Sequence, residues 1–396
     1  MKQILYFFPL NPVDRNSGSI SRALGLLTYF ADRGHKVDFI SKQHWGNYTE
    51  DSIRAFRDAK LAENIWVLRR KPIKKNPIRY FFGYKIAHLL HERRLNTPPN
   101  SIPNHTTLFL RQQFDEILQR KRYDYIIISY AYWADLIRRN PNLHGSTTII
   151  DTHDLLSSQH QLDAGFDRGV ALADELQRLD LFDQIWAISA DETYFFTQFF
   201  RDKVKYIPMM MDLPKEVDEE VEERPFDLIY VATDNPHNLA SAAWFFGEVY
   251  PQLPPGIKIC VIGTILPHLP KDLPNVERVS FVEDLGQYYR RSKVSICPML
   301  TGTGLKIKVV EAMAYGLPVV CTERGVDGIP DKTQNGCLVA DNAADFATSI
   351  QRLLKDKELY QRQSELGKDC FLRNFERQQV YRKIDKALNR PVDAKD

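Results

Sequence analysis

The sequence is short of several features that would assign it a class at once. Its five cysteines, Cys260, Cys297, Cys321, Cys337 and Cys370, are odd in number and include no Cys-x-x-Cys, which argues against a disulfide framework or a thiolate metal site. Several lie inside apolar strand-like runs and read as reduced core residues. No apolar run approaches the roughly 20 residues that a membrane-spanning helix needs. The opening residues, Met1 to Pro9, have the pattern of a short buried strand and not of a signal peptide. Charge of one sign is missing too: 53 Lys+Arg face 51 Asp+Glu, a formal +2, so there is no whole-protein field for nucleic acid and none is expected as a partner. No His/Cys cluster has metal-ligand spacing, and no cofactor or metal is expected. These absences leave the expectation of a cytoplasmic globular protein, peripheral at most at the inner face of a membrane.

What is present is an α/β pattern long enough, at 396 residues, for two to three domains. Ile4 to Phe8 is a buried-strand run, Pro9 to Ser19 a polar loop, and Leu24, Leu27 and Ala31 mark one face of a helix that ends at Gly34. Val37 to Ile40 is the next strand, a doubly wound opening. The loop carries a single Gly18 beside Ser17 and Ser19. Arg111 to Gln119 reads as a helix. Tyr125 to Ser129 and Thr147 to Asp151 read as central parallel strands. The second runs into Asp151-Thr152-His153-Asp154. Open α/β sheets bind ligands beyond the carboxyl ends of their strands, so His153 and Asp154 are expected at a functional edge, with carboxylates able to fix the imidazole tautomer.

The acidic stretch within 213–225 reads as a linker between a first domain, 1–212, and a second, 226–375. The second starts with the strand Asp227 to Ala232. A loop, Thr233 to Asn238, leads into a helix over Leu239 to Val249, with Asn238 as the expected N-cap. Further strands are expected at Lys258 to Gly263, Val276 to Val282 and Val294 to Cys297. Between Arg69 and Arg94, nine basic residues face Glu92 alone and are interleaved with Tyr80, Phe81, Phe82 and Tyr84. That mixture suits an anionic membrane surface; a solvated helix face with core aromatics is the equal alternative.

The most informative stretch is Pro298 to Val320. A strand passes through Thr301-Gly302-Thr303-Gly304 into an apolar-periodic helix with Leu305, Val309, Ala312 and Met313 on one face, ended by Gly316-Leu317-Pro318. Strand, glycine loop and helix is the geometry that binds phosphates, because the first helical turn has unpaired N–H groups and partial positive charge and glycines admit an anion close to the backbone; an ordinary crossover with a glycine turn and a solvated Glu311 is the alternative. Lys306 and Lys308 add mobile positive charge. Glu311, one to two turns in, can accept hydrogen bonds from the sugar hydroxyls of a nucleotide.

This segment resembles the donor motif of family four (group 1) retaining glycosyltransferases, through Glu311-Ala-Met-Ala-Tyr-Gly-Leu-Pro-Val319. The glutamate that relatives carry eight residues earlier is Thr303 here, as in a branch with Gly-Thr-Gly-x-Lys-x-Lys. The resemblance implies a GT-B fold, two Rossmann-like domains with parallel sheets facing across a cleft. The donor side would comprise Gly18, Asn235, Val282, Glu283, Gly302, Thr303, Gly304, Leu305, Lys306, Lys308 and Glu311. Ser19, Arg22 and Asp154 would lie on the acceptor side, with His153 near the transferred sugar and Lys306 as the charge on the diphosphate. The last helix, 376–390, would pack back on the first domain. The implied activity is metal-independent transfer of a hexosyl or related group, with retention, from a nucleotide sugar to a glycan or lipid-linked acceptor in cell-surface polysaccharide or glycoconjugate assembly. A GT-A enzyme would use a metal on Asp-x-Asp, which the sequence lacks. A sugar-nucleotide epimerase and a weak donor-binding scaffold remain the alternatives.

Overall fold

The computed structural model describes residues 1–13, 17–46, 48–95, 97–161, 163–214, 223–280, 282–302 and 304–389. Apolar runs make two wholly parallel sheets. The first contains β1 (Gln3–Phe7), β2 (Lys36–Lys42), β3 (Asn64–Leu68), β4 (Tyr125–Ser129), β5 (Thr147–Asp151), β6 (Gln184–Ala187) and β7 (Val204–Tyr206) in the order β3-β2-β1-β4-β5-β6-β7. The second contains β8 (Phe226–Val231), β9 (Ile259–Ile262), β10 (Val276–Val279), β11 (Ser292–Cys297), β12 (Val319–Cys321) and β13 (Cys337–Val339) in the order β10-β9-β8-β11-β12-β13. Central strands such as β4 are buried along their whole length, as expected for sheets covered on both faces.

The chain divides into two compact units. One comprises Met1–Ile188, Glu192–Met209 and the chain from Ile384 on; the other comprises Ser189–Asp191 and Met210–Lys383. Each has its own core. Tyr230, Phe245, Ile296, Val320 and Phe346 cluster on one face of the second sheet, and Ile229, Val309, Val310, Met313 and Phe371 on the other. All five cysteines are buried and free. The helix Arg377–Asn389 straddles the division, and its last turns are held on the first unit by bonds from Tyr29 and Arg33 to Asp385 and from Gln184 to the Ala387 carbonyl.

Several local expectations are corrected. The helix expected at Leu239 begins at Pro236, because Asn235 caps it by accepting from the Asn238 N–H at 2.9 Å and proline fits the first helical position. Asn238 therefore lies inside the first turn, buried. The strand expected to reach Val282 ends at Val279, and the helix expected at Arg111 starts at Leu108, where Thr107 caps it. Leu305 precedes the helix Ile307–Ala314 rather than forming part of its buried face. Most of the expected linker, 215–222, lies outside the described residues.

Candidate functional site

In each sheet the strand order reverses between the first strand and the fourth, β1/β4 and β8/β11, and the loops leaving those strands flank the point where open α/β sheets bind ligands. In the second unit these are the loop after β8 and the glycine loop after β11. They are tied together. His237 Nδ1 lies 2.8 Å from the Thr301 hydroxyl, and Lys308 Nζ donates to Asn238 Oδ1 at 3.1 Å. Gly302 has φ +93° and Gly304 φ +80°, both in the region that favours glycine, and a Cβ on Gly302 would meet the His237 ring at 3.2 Å.

Lys306 and Lys308 are not mobile. Lys306 is 8% exposed and its ammonium donates to the Gly304 carbonyl at 2.8 Å, with the Gly302 carbonyl at 3.4 Å, so it braces the loop from beneath. Lys308 sits 5.5 Å from the centre of the Tyr230 ring. Burial pushes both lysines below the ordinary lysine range. Two cations are thus held at the start of a helix whose own first turn is positive, a preorganised setting for a diphosphate. Glu311 lies on the same helix and accepts from Tyr289 Oη at 3.0 Å. Burial raises its pKa, while the Tyr289 hydrogen bond and the Lys308 charge oppose the rise. Asn235, exposed, and Val282, half-buried, lie in loops after β8 and β10, with Glu283 exposed beside Val282. Leu305 is half-buried. Thr303 lies outside the described residues.

In the first unit His153 follows β5 with φ +62° and is 4% exposed. Its Nε2 lies 3.0 Å from Asp151 Oδ2 and 3.1 Å from the Ser129 hydroxyl, and its ring stacks on Tyr130 at 4.3 Å and on Phe8 at 5.6 Å. Tyr130 also has a left-handed backbone, φ +66°. Two such residues beside one ring are the kind of strain that folds retain at functional edges. Arg22 is no open acceptor-side group. It is 1% exposed and forks onto the Asp151 carboxylate at 2.5–3.1 Å, with Nη1 donating to the Ile207 carbonyl at 2.7 Å. Burial alone would raise the Asp151 pKa, but Arg22 and His153 hold it well below the usual range. Arg22 therefore fixes the carboxylate that orients His153. Gly18 is exposed and Ser19 half-buried at the start of the helix Gly18–Asp32, which Ser17 caps, and Asp154 is half-buried.

Sequence reasoning missed Tyr289, Tyr130 and the bracing role of Asn238. Tyr130 was within reach, since it directly follows a strand at the switch point. Tyr289 meets Glu311 only through packing of the helix Gly286–Arg290, for which the sequence carries no signal.

Residues 225–356 match the family model described as Glycosyl transferases group 1. An "Uncharacterized glycosyltransferase" of Haemophilus influenzae is 32% identical over 106 residues, 25% of this chain and 30% of that protein, so the chain matches under a third of that relative's length. An "Uncharacterized 44.6 kDa protein in cps region" of Klebsiella pneumoniae is 22% identical over 380 residues, covering 86% of this chain and 87% of that one. Among solved structures, sucrose-phosphate synthase of Thermosynechococcus elongatus is 15% identical, covers 98% of both chains and has a TM-score of 0.69. Anabaena HepE in complex with UDP-glucose is 13% identical, covers 98% of this chain and 99% of that one, and has a TM-score of 0.66. These likenesses show the fold, GT-B.

Proposed function

From a chain that has the GT-B fold and carries a group 1 glycosyltransferase domain, we infer a glycosyltransferase that moves a sugar from a nucleotide-sugar donor to a glycan or lipid-linked acceptor, retaining the anomeric configuration. The observation that carries the reading is the braced loop: left-handed glycines at the switch point, Lys306 under their carbonyls, and Glu311 held by Tyr289 along the same helix. The donor diphosphate is assigned to the Gly302–Lys306 segment, and the ribose hydroxyls to the Glu311 carboxylate. In the transfer, the bond from the sugar C1 to the diphosphate oxygen breaks and the acceptor oxygen bonds to C1 on the same face. The acceptor proton passes to the departing phosphate oxygen. Negative charge grows on the diphosphate, where the helix N-terminus and the two lysines are already in place, and this cationic setting supports a reaction without a metal. His153, oriented by Asp151, is assigned to the transferred sugar.

UDP-glucose is the first donor to test, because Anabaena HepE was solved with it. The Klebsiella relative's place in a cps region supports a role in polysaccharide assembly. Attachment to an anionic membrane is supported by 69–94, whose basic residues are all exposed around Ile78, Phe81, Phe82, Leu89 and Leu90, exposed by 45–71%. No described helix is long and apolar enough to cross a membrane.

The test is to incubate purified protein and a chelator with UDP-glucose, in parallel with other nucleotide sugars, with and without capsular oligosaccharide acceptors, and to follow products by NMR. An α-linked product formed only when acceptor is present supports the reading. Epimerised donor without acceptor would point to an epimerase, and binding without turnover to a scaffold.

A further inference from the structure

The carboxyl edge of the first sheet holds a second cluster that the transfer chemistry does not use. Lys42, the last residue of β2, is 2% exposed. Among the described residues its ammonium has neither an ion-pair partner nor a hydrogen-bond acceptor, and its neighbours are the rings of Trp45 at 4.9 Å and Trp133 at 5.6 Å. Those two rings meet at 5.0 Å, and His105 stands 5.1 Å from Trp45 and 5.5 Å from Trp133. The indole N–H of Trp133 is buried with no acceptor among the described residues. Trp45 is 37% exposed, so the cluster reaches solvent.

The charges that act most strongly on Lys42 and His105 are cationic, Arg178 and His160 among them being paired with Asp174 and Asp163 at 2.7 Å. After burial, Arg70 is the charge that pushes the Lys42 pKa down, to about 8. Burial and then Lys42, Arg70, Arg178 and His160 push His105 down to about 4. A buried cation with no counter-charge is costly, and folds retain such groups where a ligand completes them. Aromatic faces beside it suit the C–H face of a pyranose ring, and the ammonium and free indole N–H want an anionic acceptor atom.

We propose that Lys42, Trp45, His105 and Trp133 form an acceptor subsite for a negatively charged sugar, whose ring lies on the indole of Trp45 and whose carboxylate or phosphate is taken by Lys42. The assignment of this sugar as acceptor rests on the transferase reading; the site itself does not. A uronic acid and a sugar phosphate share the recognised chemistry.

The experiment is a tryptophan-fluorescence titration of the full chain with a trigalacturonate, its carboxyl-reduced neutral counterpart, and glucose 1-phosphate. A saturable response is expected with one or both anionic sugars, at least roughly tenfold tighter than with the neutral one. Preference between the two identifies carboxylate or phosphate as the source. Lys42→Met should abolish the preference, raise the melting temperature by removing the buried charge, and leave the thermal shift caused by UDP unchanged. Trp45→Ala, at a partly exposed position, should weaken every sugar and serves if the first variant does not fold. Equal binding of charged and neutral sugars, or unaltered binding by Lys42→Met, overturns the proposal. If a nucleoside diphosphate binds and neither anionic sugar does, this inference alone fails; if no nucleoside diphosphate binds, the transferase reading fails whatever the sugars do.

Discussion

At the scale of single residues, the Glu311 carboxylate is kept where it costs stability. Its pKa lies above the ordinary 4.5 because of burial, so the folded state favours the protonated form. A group of this kind adds stability below its unfolded pKa and loses it as pH rises through the folded pKa. Glu311→Gln keeps an oxygen for the Tyr289 hydroxyl and removes the charge. It should therefore raise the melting temperature at pH 7, with the gain shrinking toward pH 4.5. If the carboxylate clasps the ribose, the same variant should raise the donor KM about tenfold, the loss of one charge-assisted hydrogen bond, with kcat little changed. Thermal melts across pH and donor kinetics check both. A higher melting temperature with unchanged KM would remove Glu311 from the ribose role while leaving the electrostatics intact. Glu311 itself was legible from the sequence because it stands at a fixed spacing along a helix from a glycine loop. Tyr289 and the pairing of Arg22 with Asp151 were not, since both depend on side chains meeting across 22 and 129 residues of chain.

At the scale of elements, local chemistry predicted strands well and helix starts less well. Apolar runs such as Tyr125 to Ser129 have one reading, a buried strand, and the structure gives it. The helix after β8 starts three residues before the expected place, because Asn235 caps it and proline suits the first turn. The segment after β3 shows what periodicity leaves undecided. Of its aromatics only Tyr84 is buried, while Phe81 and Phe82 stand 45% and 68% exposed. A π-helical turn, Phe81–Lys85, interrupts the helical path there and offsets the ring directions. An apolar surface ringed by lysines and arginines suits an anionic bilayer, where each basic residue contributes about 1 kcal/mol. The expected outcome is co-sedimentation with phosphatidylglycerol vesicles and not with phosphatidylcholine vesicles, weakening as salt rises. Phe81→Ser with Phe82→Ser should lower the partition by at least about tenfold without altering the melting temperature, because both rings are already in water. Vesicle binding that ignores this double variant would assign the surface to charge alone.

At the scale of the whole molecule, two sheets with separate cores predict two unfolding events, and the C-terminal helix offers a way to address one of them. From Ile384 the chain belongs to the first unit, where Ile384 is fully buried and Asp385 takes bonds from Tyr29 at 2.8 Å and from Arg33 at 2.8 Å. The segment proposed to hold the diphosphate, Gly302–Lys306, belongs to the second unit. A ligand that binds only one folded unit stabilises only that unit, by about 2.7 kcal/mol at 100 times its Kd. Calorimetry should therefore show a transition that moves up with UDP and one that does not. Ile384→Ala leaves a cavity in the first unit and should lower the UDP-insensitive transition, by about 2–5 kcal/mol of stability. The UDP-responsive transition should stay where it was. If Ile384→Ala instead lowers the transition that UDP raises, the final helix stabilises the nucleotide unit, and the division of the chain at Lys383 is wrong.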